Sequence, residues 1–145
     1  MKSIWNLSPI ETTQLLLWRI DAKSFRVVQF DKPVSLLTNH DYVLMDKKFN
    51  KVLEKLTTQI QNREVIIHDK VRNATLDNYI ELEIANEISP ASIDKMDDKG
   101  LKIWRYGDYV FVSDELKTEL ENIGSQDFEF TQGFSQFAGT VTDGR

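Results

Sequence analysis

Hydrophobic and polar residues alternate in short bursts over the first third of the chain. Residues 15–20 (LLLWRI) and 25–30 (FRVVQF) are compact apolar runs of strand length. The polar stretch 21–24 between them has the length of a hairpin loop. Pro33 interrupts any continuation and leaves 34–37 as a further short edge strand. At 41–45 a strand is predicted to feed directly into a helix. Asp46 is an N-cap type of residue. Phe49, Val52, Leu53, Leu56 and Ile60 then recur at the spacing of one helical face, with Lys47, Lys48, Lys51, Glu54 and Lys55 between them.

The period then returns to two. Residues 65–67 read as a strand. Over 79–88, Ile80, Leu82, Ile84 and Ile88 fall on one side and Glu81, Glu83 and Glu87 on the other, the mark of a half-buried strand. Ser89 and Pro90 end it, and 94–100 is a charged turn. Residues 101–106 and 109–112 make a hairpin about Gly107 and Asp108. Ser113 then caps a second helix, which turns Leu116, Leu120 and Ile123 inward and closes at Gly124. A last strand covers 128–130. These elements predict an α+β fold, a mostly antiparallel sheet with two amphipathic helices packed on one side. One domain is expected over residues 1–131, and a loose Gly/Ser/Thr-rich tail over 132–145.

The strand–helix unit occurs twice. DYVLMDKKFNKVLEKL (41–56) lies without a gap over DYVFVSDELKTELENI (108–123). The Asp-Tyr-Val opening is identical, as are Leu53/Leu120 and Glu54/Glu121, while Phe49/Leu116 and Leu56/Ile123 preserve the apolar face and Asp46/Ser113 the cap type. With YIELEIANEI and ASIDKMD between the copies, this arrangement resembles a family of bacterial immunity proteins, some named after a myxobacterial member, that protect cells against polymorphic contact-delivered toxins. The resemblance spans 41–130. It departs from the family at 79–88, where Glu81 and Glu83 interrupt a run expected to be more apolar, and residues 1–40 play no part in it. It implies a non-enzymatic protein without a cofactor, which neutralises a cognate toxin by occluding its active site.

Composition narrows the alternatives. A chain of 145 residues suits one core that buries roughly 68–70% of the unfolded surface. The absence of cysteine removes disulfides, thiolate metal sites and cysteine nucleophiles, and points to a reducing compartment. Residues 1–14 hold one lysine and no apolar run of signal-peptide length, and the longest apolar stretch, 15–18, falls far short of the about 20 residues that cross a bilayer. A cytoplasmic protein with no membrane association is expected. The net charge of −5 argues against a nucleic-acid partner, whose phosphates require a basic face, and suits a basic protein partner.

Catalytic constellations are sparse. His40 and His68 each precede an aspartate, Asp41 and Asp69, but neighbours on a strand point to opposite faces and cannot readily share a hydrogen bond. Neither histidine stands at a recognisable metal-ligand spacing. Glu81 and Glu83 share a strand face, as a paired-carboxylate site would require, yet nothing marks a sugar cleft, and a solvated face is the preferred reading. Trp104, Tyr106, Tyr109 and Phe111 suit cross-strand packing in a hairpin. The expected partner-binding surface is therefore an acidic stripe, Glu81, Glu83 and Glu87, flanked by Trp104 and Tyr106 as anchors and meeting a basic cleft on the toxin. A small carboxylate/histidine hydrolase and a structural adaptor subunit are the readings from other classes.

Overall fold

The computed structural model describes residues 3–133. Its largest element is a hairpin, β6 (Ile60–Asp69) and β7 (Ala74–Ile84), paired from Ile60↔Ile84 to Asp69↔Ala74 with one irregularity between Val65 and Ile67. Upstream lie β1 (Ile4–Pro9), the hairpin β2 (Leu16–Asp21) and β3 (Ser24–Gln29), and the short pair β4 (Leu36–Thr38) and β5 (Val43–Asp46). Downstream are β8 (Ile103–Tyr106), β9 (Tyr109–Ser113), the helix α2 (Asp114–Ile123) and β10 (Phe128–Gln132). Between β5 and β6, α1 (Asn50–Leu53) is flanked by 3-10 turns at Lys47–Phe49 and Glu54–Leu56.

Among the described residues the strands form two sheets, one in the order β2-β3-β6-β7-β5-β4 and one in the order β10-β1-β9-β8. Every pairing is antiparallel except β3 with β6. This corrects the expected α+β arrangement: 47% of the described residues are in strands and 18% are helical, and one true helix with a shorter companion replaces two packed helices. The cause lies at Ile60. It continues the apolar helical spacing of Phe49, Val52, Leu53 and Leu56, but the Gln59 carbonyl accepts from the Ala85 amide at 2.9 Å and Ile60 pairs with Ile84. Pairing with β7 takes the chain into a strand, and the β-branched Thr57 and Thr58 just before it are weak helix formers. Of the residues expected to form a tail, 132–145, Gln132 belongs to β10, and those from 134 lie outside the described residues.

Three clusters of buried side chains follow from the layering. The largest lies between the two sheets and takes Val43, Met45, Ile80 and Leu82 from one, Leu7, Val110 and Val112 from the other, and Phe49, Leu53, Leu56, Leu116 and Leu120 from the helical segments. The second strand–helix unit forms as predicted, β9 leading into α2, whereas the first runs from β5 into the four-residue α1 between 3-10 turns. Asp46 accepts from the Lys48 amide and Ser113 from the Leu116 amide, as caps. Ile123, expected inward, is instead 39% exposed. Behind the four-stranded sheet, Ile4, Ile88, Trp104 and Phe111 form a smaller cluster with Ile93 and Met96.

The six-stranded sheet curls into a half-barrel whose hollow face is filled by its own side chains: Leu15, Leu17, Phe25, Leu37, Tyr42, Leu44, Val65, Ile67 and Tyr79. The curl brings β2 back toward β5, where the Leu17 amide donates to the Tyr42 hydroxyl at 3.2 Å. Burial raises the Tyr42 pKa against the lowering effect of that hydrogen bond, and burial likewise raises that of Tyr79, whose hydroxyl donates to the Val34 carbonyl at 2.6 Å. No helix among the described residues is long and apolar enough to cross a membrane.

Candidate functional site

Since β-strand side chains alternate, filling the hollow face of the half-barrel leaves the other parity on its outer face. Over β4, β5 and β7 that outer face is covered by the central core. Over β2, β3 and the end of β6 nothing among the described residues covers it. Leu16, Trp18 and Ile20 from β2, Val28 from β3, Phe30 just beyond its end, and Ile66 from β6 are each between 43% and 62% exposed, Trp18 the most. Together they show on the order of 500 Å² of apolar side chain, at the upper range of the largest patch on a typical monomer.

The patch is ordered by its arginines. Trp18 pairs with Arg26, and Arg26 with His68, so these three form one row across the strands. The Arg26 guanidinium lies 6.0 Å from the centre of the Trp18 ring, and that of Arg72 lies 3.6 Å from the centre of the Phe30 ring. Arg72 is tied in turn to the buried Asp69, which accepts from its backbone amide at 3.1 Å and its side chain at 3.4 Å. Such cation–π stacking holds large aromatic rings in place at an exposed site. A hollow of about 430 Å³, lined by Ile20, His68, Asp69, Lys70, Asn73, Ala74 and Thr75, adjoins the patch.

The residues named from the sequence are placed elsewhere, in three separate surroundings. Glu81 does lie opposite Ile80 and Leu82, but its face is the filled hollow of the half-barrel, and its side chain is 5% exposed. Arg19 donates to it through Nη2 at 2.6 Å and Nη1 at 3.1 Å, and Arg63 through Nε at 3.2 Å. The hydrogen bond to Glu81 is the main cause of a raised Arg19 pKa, with Asp41 adding to it at 3.3 Å from Nε. Glu83 is exposed and accepts from Arg63 Nη2 at 3.3 Å. Glu87 lies beyond the end of β7, where the chain crosses to β8 and the Arg105 amide donates to the Asn86 carbonyl at 2.9 Å. The expected stripe is thus broken: one carboxylate is buried between arginines, one is paired, and one is off the strand.

Trp104 is buried against Ile4, Ile88 and Phe111, while Tyr106 is exposed at the hairpin turn, where Gly107 adopts a φ of 58° that favours glycine. Glu87 and Tyr106 do share one cleft of about 370 Å³ with His40 and Arg105. There the Arg105 guanidinium is held by the Asn39 carbonyl and, at 2.8 Å, by the Gly107 carbonyl. Neither histidine is hydrogen-bonded to its sequence neighbour: Asp41 is engaged by Arg19 and Asp69 by Arg72.

In the sequence, Leu16, Trp18, Ile20 and Phe30 stand out only as strand residues. The signal that could have found the bare face is a run, 15–20, apolar on both parities, in a chain with too little helix to cover both. Compared with protein families, characterised proteins and solved structures, the chain matches none. The likeness to immunity proteins accordingly stands on the strand–helix motifs alone.

Proposed function

We propose that this protein acts by binding another protein, and that the outer face of β2, β3 and β6 is the surface it uses. The observation that carries this reading is the bare field of Leu16, Trp18, Ile20, Val28, Phe30 and Ile66 beside a hollow large enough to seat a side chain. A standard interface buries about 800 Å² on each partner around an apolar centre and a polar rim, and a field of this size with cations at its margin has that anatomy. Trp and Arg are the residue types that most often dominate binding energy. The strand–helix resemblance makes a bacterial toxin the expected partner, neutralised by occlusion of its active site without catalysis.

The test is a Trp18→Ser/Phe30→Ser double variant, used as bait beside the native chain in its source cells. Trp18 and Phe30 are 62% and 44% exposed and lie outside the buried clusters, so the fold should be kept, while recovery of the native chain's specific partner should fall at least tenfold. Equal recovery by a folded double variant would remove this face from the reading. For the toxin, the recovered partner expressed alone should kill cells, and co-expression of the native chain but not the variant should rescue them.

A further inference from the structure

The charges around the bare face identify the chemistry of its partner, an inference that rests on the protein-binding reading above. Arg26 is the charged side chain standing inside the apolar field, and Lys23, Lys70 and Arg72 stand at its margin. Lys23 leads into β3, with its carbonyl accepting from the Ile66 amide at 2.9 Å. Lys70 lines the adjoining hollow with His68.

Among the described residues, Arg19, Lys32, Lys47, Lys48, Lys55, Arg63, Arg72, Lys102 and Lys117 each meet a carboxylate. Lys23, Arg26 and Lys70 on or beside this face do not, and neither do Lys51, Lys95, Lys99 and Arg105 on other elements. The nearby carboxylates are engaged by backbone amides, and Asp21 also lies near His68. Asp21 accepts from the Lys23 amide at 2.8 Å, Asp31 from the Gln14 amide at 2.7 Å, and Asp69 from the Arg72 amide at 3.1 Å. In a chain of net charge −5, three of the seven described cations that meet no carboxylate thus lie on or beside the bare apolar surface.

We infer that this face docks an apolar protein surface rimmed with carboxylates, in which an aspartate or glutamate meets Arg26 and a second reaches the hollow beside His68 and Lys70. Electrostatic complementarity of this kind selects the partner and speeds encounter. A basic partner would bring like charges together around a desolvated centre. A second copy of this chain in a two-fold contact would repeat the same patch on both sides and set cation against cation.

The experiment pans a random peptide library displayed on phage against the native chain. Enriched peptides are then measured against three purified chains: native, Trp18→Ser/Phe30→Ser, and Arg26→Glu/Lys70→Glu. Acidic peptides with apolar residues are expected. Their affinity should fall at least tenfold in the aromatic variant, and charge reversal should exchange them for basic peptides on a second panning. Basic peptides on the native chain that still need Trp18 and Phe30 would overturn the acidic-partner inference and leave the docking face standing. Peptides indifferent to Trp18 and Phe30, or no enrichment at all, would overturn both. Sedimentation of the native chain and flotation with phosphatidylserine vesicles complete the test. A dimer, or vesicle binding, abolished in the aromatic variant would assign the face to a second copy or to a membrane and overturn the inference.

Discussion

Arg19→Met is the perturbation that most sharply tests the charge cluster inside the half-barrel. Glu81 has 5% of its side chain exposed and takes two hydrogen bonds from Arg19, at 2.6 and 3.1 Å, and one from Arg63 at 3.2 Å. Breaking a buried pair from one side costs about 3–5 kcal/mol, and the remaining contact to Arg63 trims the expected loss to roughly 2–4 kcal/mol. For a domain of this size that is a fall in Tm of about 6–12 °C. Glu81→Leu should cost less, because Arg19 and Arg63 are 27% and 32% exposed and can turn to water, as the carboxylate cannot. The double variant Arg19→Met/Glu81→Leu should recover most of the Arg19→Met loss, since an apolar replacement of a buried pair is often close to neutral. Urea unfolding followed by tryptophan fluorescence would supply the cycle. Additive losses, with the double variant less stable than either single one, would refute the pairing and with it the claim that Glu81 is withheld from the surface by its arginines.

Leu120→Ala should cost about 2–5 kcal/mol by opening a cavity in the central core, whereas Ile123→Ala on the same helix should cost under about 1 kcal/mol because Ile123 is 39% exposed; chemical unfolding of both variants decides it. Asp127 is raised by burial, but hydrogen bonds from Lys48, at 2.6 Å, and from the Ser35 hydroxyl outweigh that and hold it below its ordinary 3.8. A carboxylate depressed on folding contributes stability above its unfolded pKa and loses it as pH falls through its folded value. Native stability should therefore decline below about pH 4, and Asp127→Asn should start lower at pH 7 and decline less steeply in acid, as thermal melts across pH 2–7 would show. The partner-recovery test of Trp18→Ser/Phe30→Ser and the peptide panning stand with these.

What was legible in the sequence was local. The β2–β3 and β8–β9 hairpins and the Asp46 and Ser113 caps depend on residues within a few positions of one another, and each formed where its pattern stood. The alternation of β7 was also legible: Glu81 does oppose Ile80 and Leu82. Its burial was not, because that depends on whether the sheet curls, and the curl depends on β2 and β5, dozens of residues away. Ile60 shows the same limit from the other side. Its spacing was helical, yet pairing with Ile84 outweighed that spacing. The β1 strand escaped because its pattern is short and ends in Pro9, although it lies at the middle of the second sheet.

The bare face follows from a shortage of cover. A strand apolar on both parities is ordinary where a sheet is buried on both sides, and 15–20 reads that way: Leu15 and Leu17 fill the half-barrel, while Leu16, Trp18 and Ile20 point out. Covering the whole outer face of a six-stranded sheet requires a layer as wide as the sheet. This chain supplies the second sheet, a ten-residue helix and the broken turn around α1, and that layer meets β4, β5 and β7. Beyond it, the apolar side chains of β2 and β3 have no cover within the described residues. Arg26 and Arg72 stack on their aromatic rings without hiding them, since Trp18 and Phe30 remain 62% and 44% exposed. Exposed apolar surface at that level is costly to solubility and is a recognised mark of an interaction site, which is why the search for a partner belongs at Trp18 and Phe30 rather than at Glu81.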